Sequence, residues 1–382
     1  MPVRLLLAIA VAAFSVSSAF AQAQFETKAK FAVLTDYESG TVIFQKDAAA
    51  RLEPASMTKL MTLAVVFNEL RAGRLSKDDL FFVSENAWRT GGASSGGSTM
   101  FAELNSQIRV EDLIRSVIIQ SGNDAAIVLA EGIAGSEASF AAMMNELARQ
   151  IGLNDSNFTN STGLPDPDEF STARDLADLG RYLIREFPEY YHYFSEPEME
   201  WNGIKQANRN SLIDVGIGVD GLKTGHTQAA GYGVVLSTAQ GDRRLVAVVH
   251  GLGSMRERAE EGRKLLTWGM RAFERFSAYP EGKVVAYADV YGGEKGNVGL
   301  IGNGEVALYL PRGSRQCLSA TVNFVSPLMP PIQQGAQIAE LQVFCNDQLV
   351  QTAPLYAAET VGQGDLVRRA TDALKQLALG WL

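Results

Sequence analysis

Near residue 280, after "SAYPEG", the texture of the chain changes. From 281 to about 361 it runs in short alternating segments, "KVVAYADVY", "EVALYLP", "SATVNFV" and "AELQVF", divided by Gly, Pro and Asn. Alternation puts every second side chain on one face, and runs this short between turn residues make strands rather than helices. Residues 281–361 are therefore predicted to form a small all-β domain, a sandwich. Nothing before this point reads the same way. The chain thus divides into two folding units, and 382 residues with 46% hydrophobic content suffice for a core in each.

The larger unit, 24–277, opens with two β-rich runs in "KFAVLTDYESGTVIFQKD". A helix is predicted from about Ser56 to Leu70, with Pro54 near its first turn and Gly73 as its stop. A Gly/Ser-rich loop, "RTGGASSGGSTM", comes next. Two helices, "IRVEDLIRSVIIQ" and "DAAIVLAEGIA", are separated by Ser121-Gly122-Asn123, and two more follow around "FAAMMNELARQIG" and "ARDLADLGRYLIREF". Strands return in "GVDGLKTGHT", "GYGVVLSTA" and "RRLVAVVHG", and "ERAEEGRKLLTWGMRAFERF" is predicted as one closing amphipathic helix. Strands at both ends and helices between them predict an α+β domain whose terminal segments share one sheet.

The two ends lie outside these units. "MPVRLLLAIAVAAFSVSSAFA", residues 1–21, has one positive charge, an apolar run too short to span a bilayer and a small-residue site at Ala19-Phe20-Ala21. It reads as a cleaved secretory signal peptide. Its removal takes away Arg4 and shifts the formal charge from -9 to -10, which argues against non-specific nucleic-acid binding. Export makes a disulfide between Cys317 and Cys345 possible, and two buried free thiols fit their strand-like surroundings equally well. At the other end, residues 364–382 place Leu366, Val367, Ala370, Ala373, Leu374, Leu377 and Trp381 on one helical face, opposite most of the charges. This amphipathic helix is predicted to lie on a membrane surface, being too short and too charged to cross one.

The chemistry centres on "EPASMTKLMT". Ser56 and Lys59 are one helical turn apart, on one face. A serine hydroxyl is a weak nucleophile until a base takes its proton. A lysine surrounded by apolar residues is pushed toward its neutral form and can be that base. Ser121-Gly122-Asn123, in the break between two helices, can project small polar groups into a cleft; Lys223-Thr224-Gly225 lies on a strand, with Gly225 leaving room for a substrate backbone. Each pattern alone has an ordinary explanation: a lysine reaching for water, a helix cap, an edge strand guarded by charge.

Together, in this order, the three resemble the penicillin-recognising serine acyltransferases, the penicillin-binding proteins and class A β-lactamases. The longer stretches "EPASMTKLMT", "SGNDAA", "DGLKTGHT" and "RKLLTWG", with the β-rich second domain and helical tail, resemble D-alanyl-D-alanine carboxypeptidases of the penicillin-binding protein 5 type. The resemblance implies a β-lactamase/transpeptidase-like catalytic domain, an antiparallel sheet with helices on both faces. It implies removal of the terminal D-alanine from peptidoglycan stem peptides, and β-lactams as covalent inhibitors. Ser56 would form the acyl-enzyme, Lys59 would accept its proton, and Ser121 would relay a proton to the leaving amine. Asn123 would hold the substrate amide, and Lys223 would support the surrounding field. Thr224 and Arg258 would bind the terminal carboxylate, helped by Arg209. The oxyanion hole would use the backbone N–H groups of Ser56 and His226, beside Gly225. No metal or organic cofactor is implied, and no zinc-site pattern occurs in the sequence.

Gly92-Ala93-Ser94-Ser95-Gly96 matches a hydrolase nucleophile pattern, but it lacks the flanking strand and helix that pattern needs and is expected to be a rim loop. A DD-endopeptidase would use the same groups. A β-lactamase would need a deacylating acid, for which Glu169 in "DPDEF" is the one residue to consider, and a catalytically idle peptidoglycan-binding scaffold would have been expected to lose a motif residue.

Overall fold

The computed structural model describes residues 25–311, 318–345 and 348–379. The signal-peptide segment and Cys317 lie outside them. Strands β1 (Phe31–Asp36) and β2 (Val42–Lys46) form the predicted N-terminal hairpin. The helical middle contains α1 (Lys59–Arg71), α2 (Val110–Ile119), α3 (Asn123–Ala134), α4 (Glu137–Gln150) and α5 (Ala173–Glu186). Three long strands follow, β3 (Val219–Thr227), β4 (Gly231–Gln240) and β5 (Arg243–Leu252), and then α6 (Met255–Ala272).

These strands build one antiparallel sheet in the order β2-β1-β5-β4-β3, so the first and last parts of the unit meet at the β1–β5 pair. Strand residues alternate between its faces. Val33, Leu222, Val235, Val246 and Val248 point into a core shared with α1, α2, α3 and α5. Leu34, Val234, Leu236, Leu245 and Val249 point the other way, against Leu265, Leu266 and Met270 of α6. Both faces are covered, which is why the middles of β1, β4 and β5 are continuous apolar runs.

The predicted closing helix is shorter than its pattern. It runs from its Ser254 cap, whose hydroxyl accepts from the Glu257 N–H, to Ala272. Residues Phe273–Tyr279 are instead a strand, β6. Three aromatic residues in seven favour extended backbone, and β6 is paired along its length with β9 (Val306–Pro311), a tertiary partner that no local pattern reveals.

The second unit also contains β7 (Ala286–Asp289), β8 (Asn297–Ile301), β10 (Leu318–Asn323), β11 (Gln337–Cys345) and β12 (Gln348–Ala357). Its own core holds Val298, Leu300, Leu341, Val343, Leu355 and Val361. One bridge, Thr352 to Val42, joins β12 to β2 and extends the main sheet into this unit. The chain ends in α7 (Leu366–Leu379). Its charged side faces the body: Asp372 Oδ2 accepts from the Gly292 N–H at 3.0 Å, and Arg369 and Arg368 lie against Gly292 and Gly296. Leu366, Val367 and Leu374 are 79%, 75% and 68% exposed. No single helix among the described residues is long and apolar enough to cross a membrane.

Candidate active site

Residues Ala55–Thr58 form one turn of 3-10 helix that runs directly into α1. Ala55 takes a positive φ of 49°, an uncommon conformation for a residue with a side chain, and Ser56, which follows it, is partly exposed. Lys59, one turn on, is fully buried. Its Nζ donates to Ser56 Oγ at 3.0 Å, to Asn123 Oδ1 at 2.8 Å and to the Thr162 carbonyl. One amine therefore joins the first two motifs. Burial lowers its pKa to about 7, against the opposing pull of Glu169, Asp124 and Glu137. Near neutrality a large share of Lys59 is the free amine, next to the hydroxyl it would deprotonate.

The second motif lies in the predicted break between α2 and α3. Gly122 is packed so closely on Ser116 that a β-carbon there would come within 2.3 Å of its hydroxyl oxygen. Asn123 begins α3, and Ser121 has a positive φ of 68°. Ser121 Oγ is buried and has no hydrogen-bond partner among the described residues, so it is free to exchange a proton with a bound group. The neighbouring Asp124 accepts from Thr99 Oγ1 and from the Met100 and Ala102 N–H groups, which fixes the 99–102 segment beside the site.

The third motif is on β3, the sheet strand next to the Ser56 turn. Lys223 is buried and donates to the Thr224 carbonyl at 3.1 Å. Burial drives its pKa well below the usual lysine range, and Lys59, Arg258 and Arg209 reinforce this. Arg258, from the first turns of α6, donates to the Arg209 carbonyl at 3.2 Å; burial lowers its pKa to about 10, with Arg209 adding to the effect. Arg209 itself is exposed, and its N–H and Nε bond to the Ile119 and Gln120 carbonyls at the end of α2, next to Ser121. Neither guanidinium is paired with a carboxylate among the described residues. The result is a pocket edge with concentrated positive charge and an unfilled capacity for an anion.

One expectation changes in detail. The space left by Gly225 is taken by protein: a β-carbon there would be 2.8 Å from the Pro54 carbonyl and 3.2 Å from the Met57 N, so this glycine lets β3 press against the nucleophile turn. His226 is exposed and stacks on Tyr232 with ring centroids 3.8 Å apart, so its side chain has no triad geometry with Ser56. In the Gly92–Gly96 segment, Ala93–Ser95 form one 3-10 turn, and no strand immediately precedes it. Gly97 lies against the Asn123 side chain, and Asn123 N–H donates to Ser98 O at 2.8 Å.

Sequence reasoning did not find the Thr162 carbonyl, the Asp124 clamp or the loop around Asn160. Asn160 Oδ1 accepts from the Thr162, Gly163 and Leu164 N–H groups. The signal for that loop was "NSTG", a turn-forming run before Pro165. Glu169 is only 5% exposed, and its oxygens accept from Thr58 Oγ1, Thr159 N–H, Thr159 Oγ1 and Asn160 Nδ2. So engaged, it is poorly placed to activate water.

Comparison with known proteins agrees with this geometry. A family model described as "D-alanyl-D-alanine carboxypeptidase" matches residues 17–253, and one described as "Penicillin-binding protein 5, C-terminal domain" matches 273–363. The chain is 41% identical over 344 residues to D-alanyl-D-alanine carboxypeptidase DacC of Escherichia coli, covering 89% of this chain and 86% of the relative. It is 38% identical over 372 residues to DacA of Haemophilus influenzae, covering 96% and 94%. Among solved structures, penicillin-binding protein 5 from Haemophilus influenzae superposes with a TM-score of 0.71 at 38% identity, over 88% of this chain and 98% of that one.

Proposed function

Because the chain belongs to the D-alanyl-D-alanine carboxypeptidase family, as a penicillin-binding protein of the penicillin-binding protein 5 type, we propose that it removes the terminal D-alanine from peptidoglycan pentapeptides through an acyl-enzyme on Ser56. The observation that carries this reading is the buried Lys59 amine held between Ser56 Oγ and Asn123 Oδ1.

Lys59 Nζ takes the Ser56 proton as Oγ attacks the carbonyl carbon between the two D-alanines. The oxyanion that forms is stabilised by the backbone N–H groups of Ser56 and His226. The proton taken by Lys59 is handed on through Ser121 Oγ to the departing amine as the C–N bond breaks, which leaves Ser121 a hydroxyl and Lys59 a free amine once more. Asn123 holds the substrate amide. Thr224 and Arg258, with Arg209 alongside, hold the terminal carboxylate, and Lys223 strengthens the field around them. Water then attacks the ester, with Lys59 again as the base, and releases the shortened peptide. A β-lactam enters the same sequence by presenting its own amide to Ser56. The carboxylate-binding edge is what favours a carboxypeptidase over a cross-link-cleaving endopeptidase, and the engaged Glu169 disfavours β-lactam hydrolysis. A catalytically idle scaffold is disfavoured by the full motif set.

We further propose that the protein, with residues 281–361 as its β-sandwich domain, is exported to the periplasm and rests on the outer face of the inner membrane. The N-terminal signal pattern supports the first, and the outward apolar face of α7 supports the second. The test is D-alanine release from a peptide ending in D-Ala-D-Ala. We expect release from the mature protein and none from Ser56→Ala; a folded wild type that releases nothing would refute the reading.

A further inference from the structure

We propose that Glu169 is a positioning residue for acyl transfer: its carboxylate ties the Ser56–Lys59 turn to the loop whose carbonyl receives the Lys59 amine. The inference rests on the reading of Ser56 and Lys59 given above and deepens it.

Two contacts fasten this loop to the turn. On one side, Glu169 accepts from Thr58 Oγ1, and Thr58, wholly buried, stands between the nucleophile and Lys59. The same carboxylate accepts from Thr159 N–H at 2.9 Å, Thr159 Oγ1 at 2.7 Å and Asn160 Nδ2 at 3.3 Å. Asn160 in turn gathers the loop, its Oδ1 accepting from Thr162 N–H at 3.0 Å and Gly163 N–H at 2.8 Å. Thr162 then presents its carbonyl to Lys59 Nζ. On the other side, Gly163 has a φ of +72°, and a β-carbon there would be 1.9 Å from the Ala55 carbonyl oxygen, so the loop is pressed onto the residue preceding Ser56. The path from Glu169 to the amine is therefore closed through Thr58 and through Asn160–Thr162.

A buried carboxylate is costly, and an apolar residue would fill this space more cheaply. Both N–H donors, from Thr159 and Asn160, fall on Oε2, which serves as their acceptor, while Oε1 faces the Thr58 hydroxyl; burial raises the pKa of this carboxyl, and its hydrogen bonds oppose that. Its charge also bears on Lys59. The negative groups facing that amine are Glu169, Asp124 and Glu137, the last two bound to the 99–102 segment and to Ser161; the neighbouring amine is Lys223, whose pKa burial drives well below the usual lysine range. Removing one of three stabilising charges favours the free amine.

The test compares full-length wild type with Glu169→Gln, Glu169→Asp and Thr58→Val, each checked for a cooperative thermal transition. The readouts are the second-order rate of Ser56 labelling by a fluorescent penicillin across pH, and D-alanine release. Glu169→Gln should lower the acid-side midpoint of labelling by about one pH unit, the low end for loss of a nearby opposite charge. It should also lower the plateau rate roughly ten- to hundred-fold, the cost of a misplaced catalytic group. Thr58→Val and Glu169→Asp keep the charge and lose the tie, so their plateau should fall with the midpoint unmoved. Wild-type plateau and midpoint in a folded Glu169→Gln would overturn the inference. So would normal labelling of Glu169→Gln with a penicilloyl-enzyme that decays more slowly than the wild-type one, the signature of a deacylating base. A wild type that neither labels at Ser56 nor releases D-alanine overturns the acyl-transfer reading itself, a different failure visible without any variant.

Discussion

Two residues buried for different reasons set the pH behaviour of the molecule. Lys59, lowered to about 7 by burial, must be neutral to accept the Ser56 proton, so acylation should rise with pH through about 7 and then level off. The measurement is kcat/KM for D-alanine release between pH 5 and 9; a profile flat through neutrality would contradict Lys59 as the base. His250 is held neutral in the fold, its pKa lowered from 6.5 to about 4, mainly by burial. The unfolded chain binds more protons between those values, so this contribution to stability is complete above pH 6.5 and is lost as pH falls toward 4. The loss is on the order of 3 kcal/mol, and His250→Gln should show less acid destabilisation than wild type in denaturant titrations at pH 7 and 4.5. The motif side chains were legible because a nucleophile and its base must be specific residue types at a specific spacing. The Thr162 carbonyl was not, since every residue has a carbonyl and only the folded loop chooses one.

At the scale of elements, the contact between β3 and the Ser56 turn depends on Gly225. Gly225→Val would drive side-chain atoms into the Pro54 carbonyl and the Met57 backbone, part the strand from the turn and reduce penicillin labelling by at least ten-fold. Labelling at the wild-type rate in a folded variant would show that the turn tolerates the displacement. The α7 helix offers the opposite experiment. Val367→Asp with Leu374→Asp should release the protein from anionic lipid vesicles in a flotation assay and leave D-alanine release intact, because neither residue packs on the body. Helices α1 to α5 could be read from their periodicity. The end of α6 could not, since its amphipathic pattern continues into "FERF" and only pairing with β9 turns those residues into a strand.

For the whole molecule, the separate core of the second unit implies separable roles. Leu355→Ala, deep in that core, should cost about 2–5 kcal/mol on unfolding of the unit. Penicillin labelling of the native protein should stay at the wild-type rate; a parallel loss of labelling would mean that the two units fold and act as one. The division of the chain was visible in its change of texture near residue 280. The bridge from Thr352 to Val42 was not, because a single backbone pair leaves no imprint on residue choice. The proposed carboxylate-binding edge at Arg258 and Arg209 has one more consequence. Before cleavage the outgoing residue offers that edge a carboxylate and an uncharged amide nitrogen; afterwards its nitrogen is an ammonium. If these groups draw the peptide in, they would then repel the new charge on the leaving amino acid, speeding its departure and discouraging it from re-entering to reverse the cut.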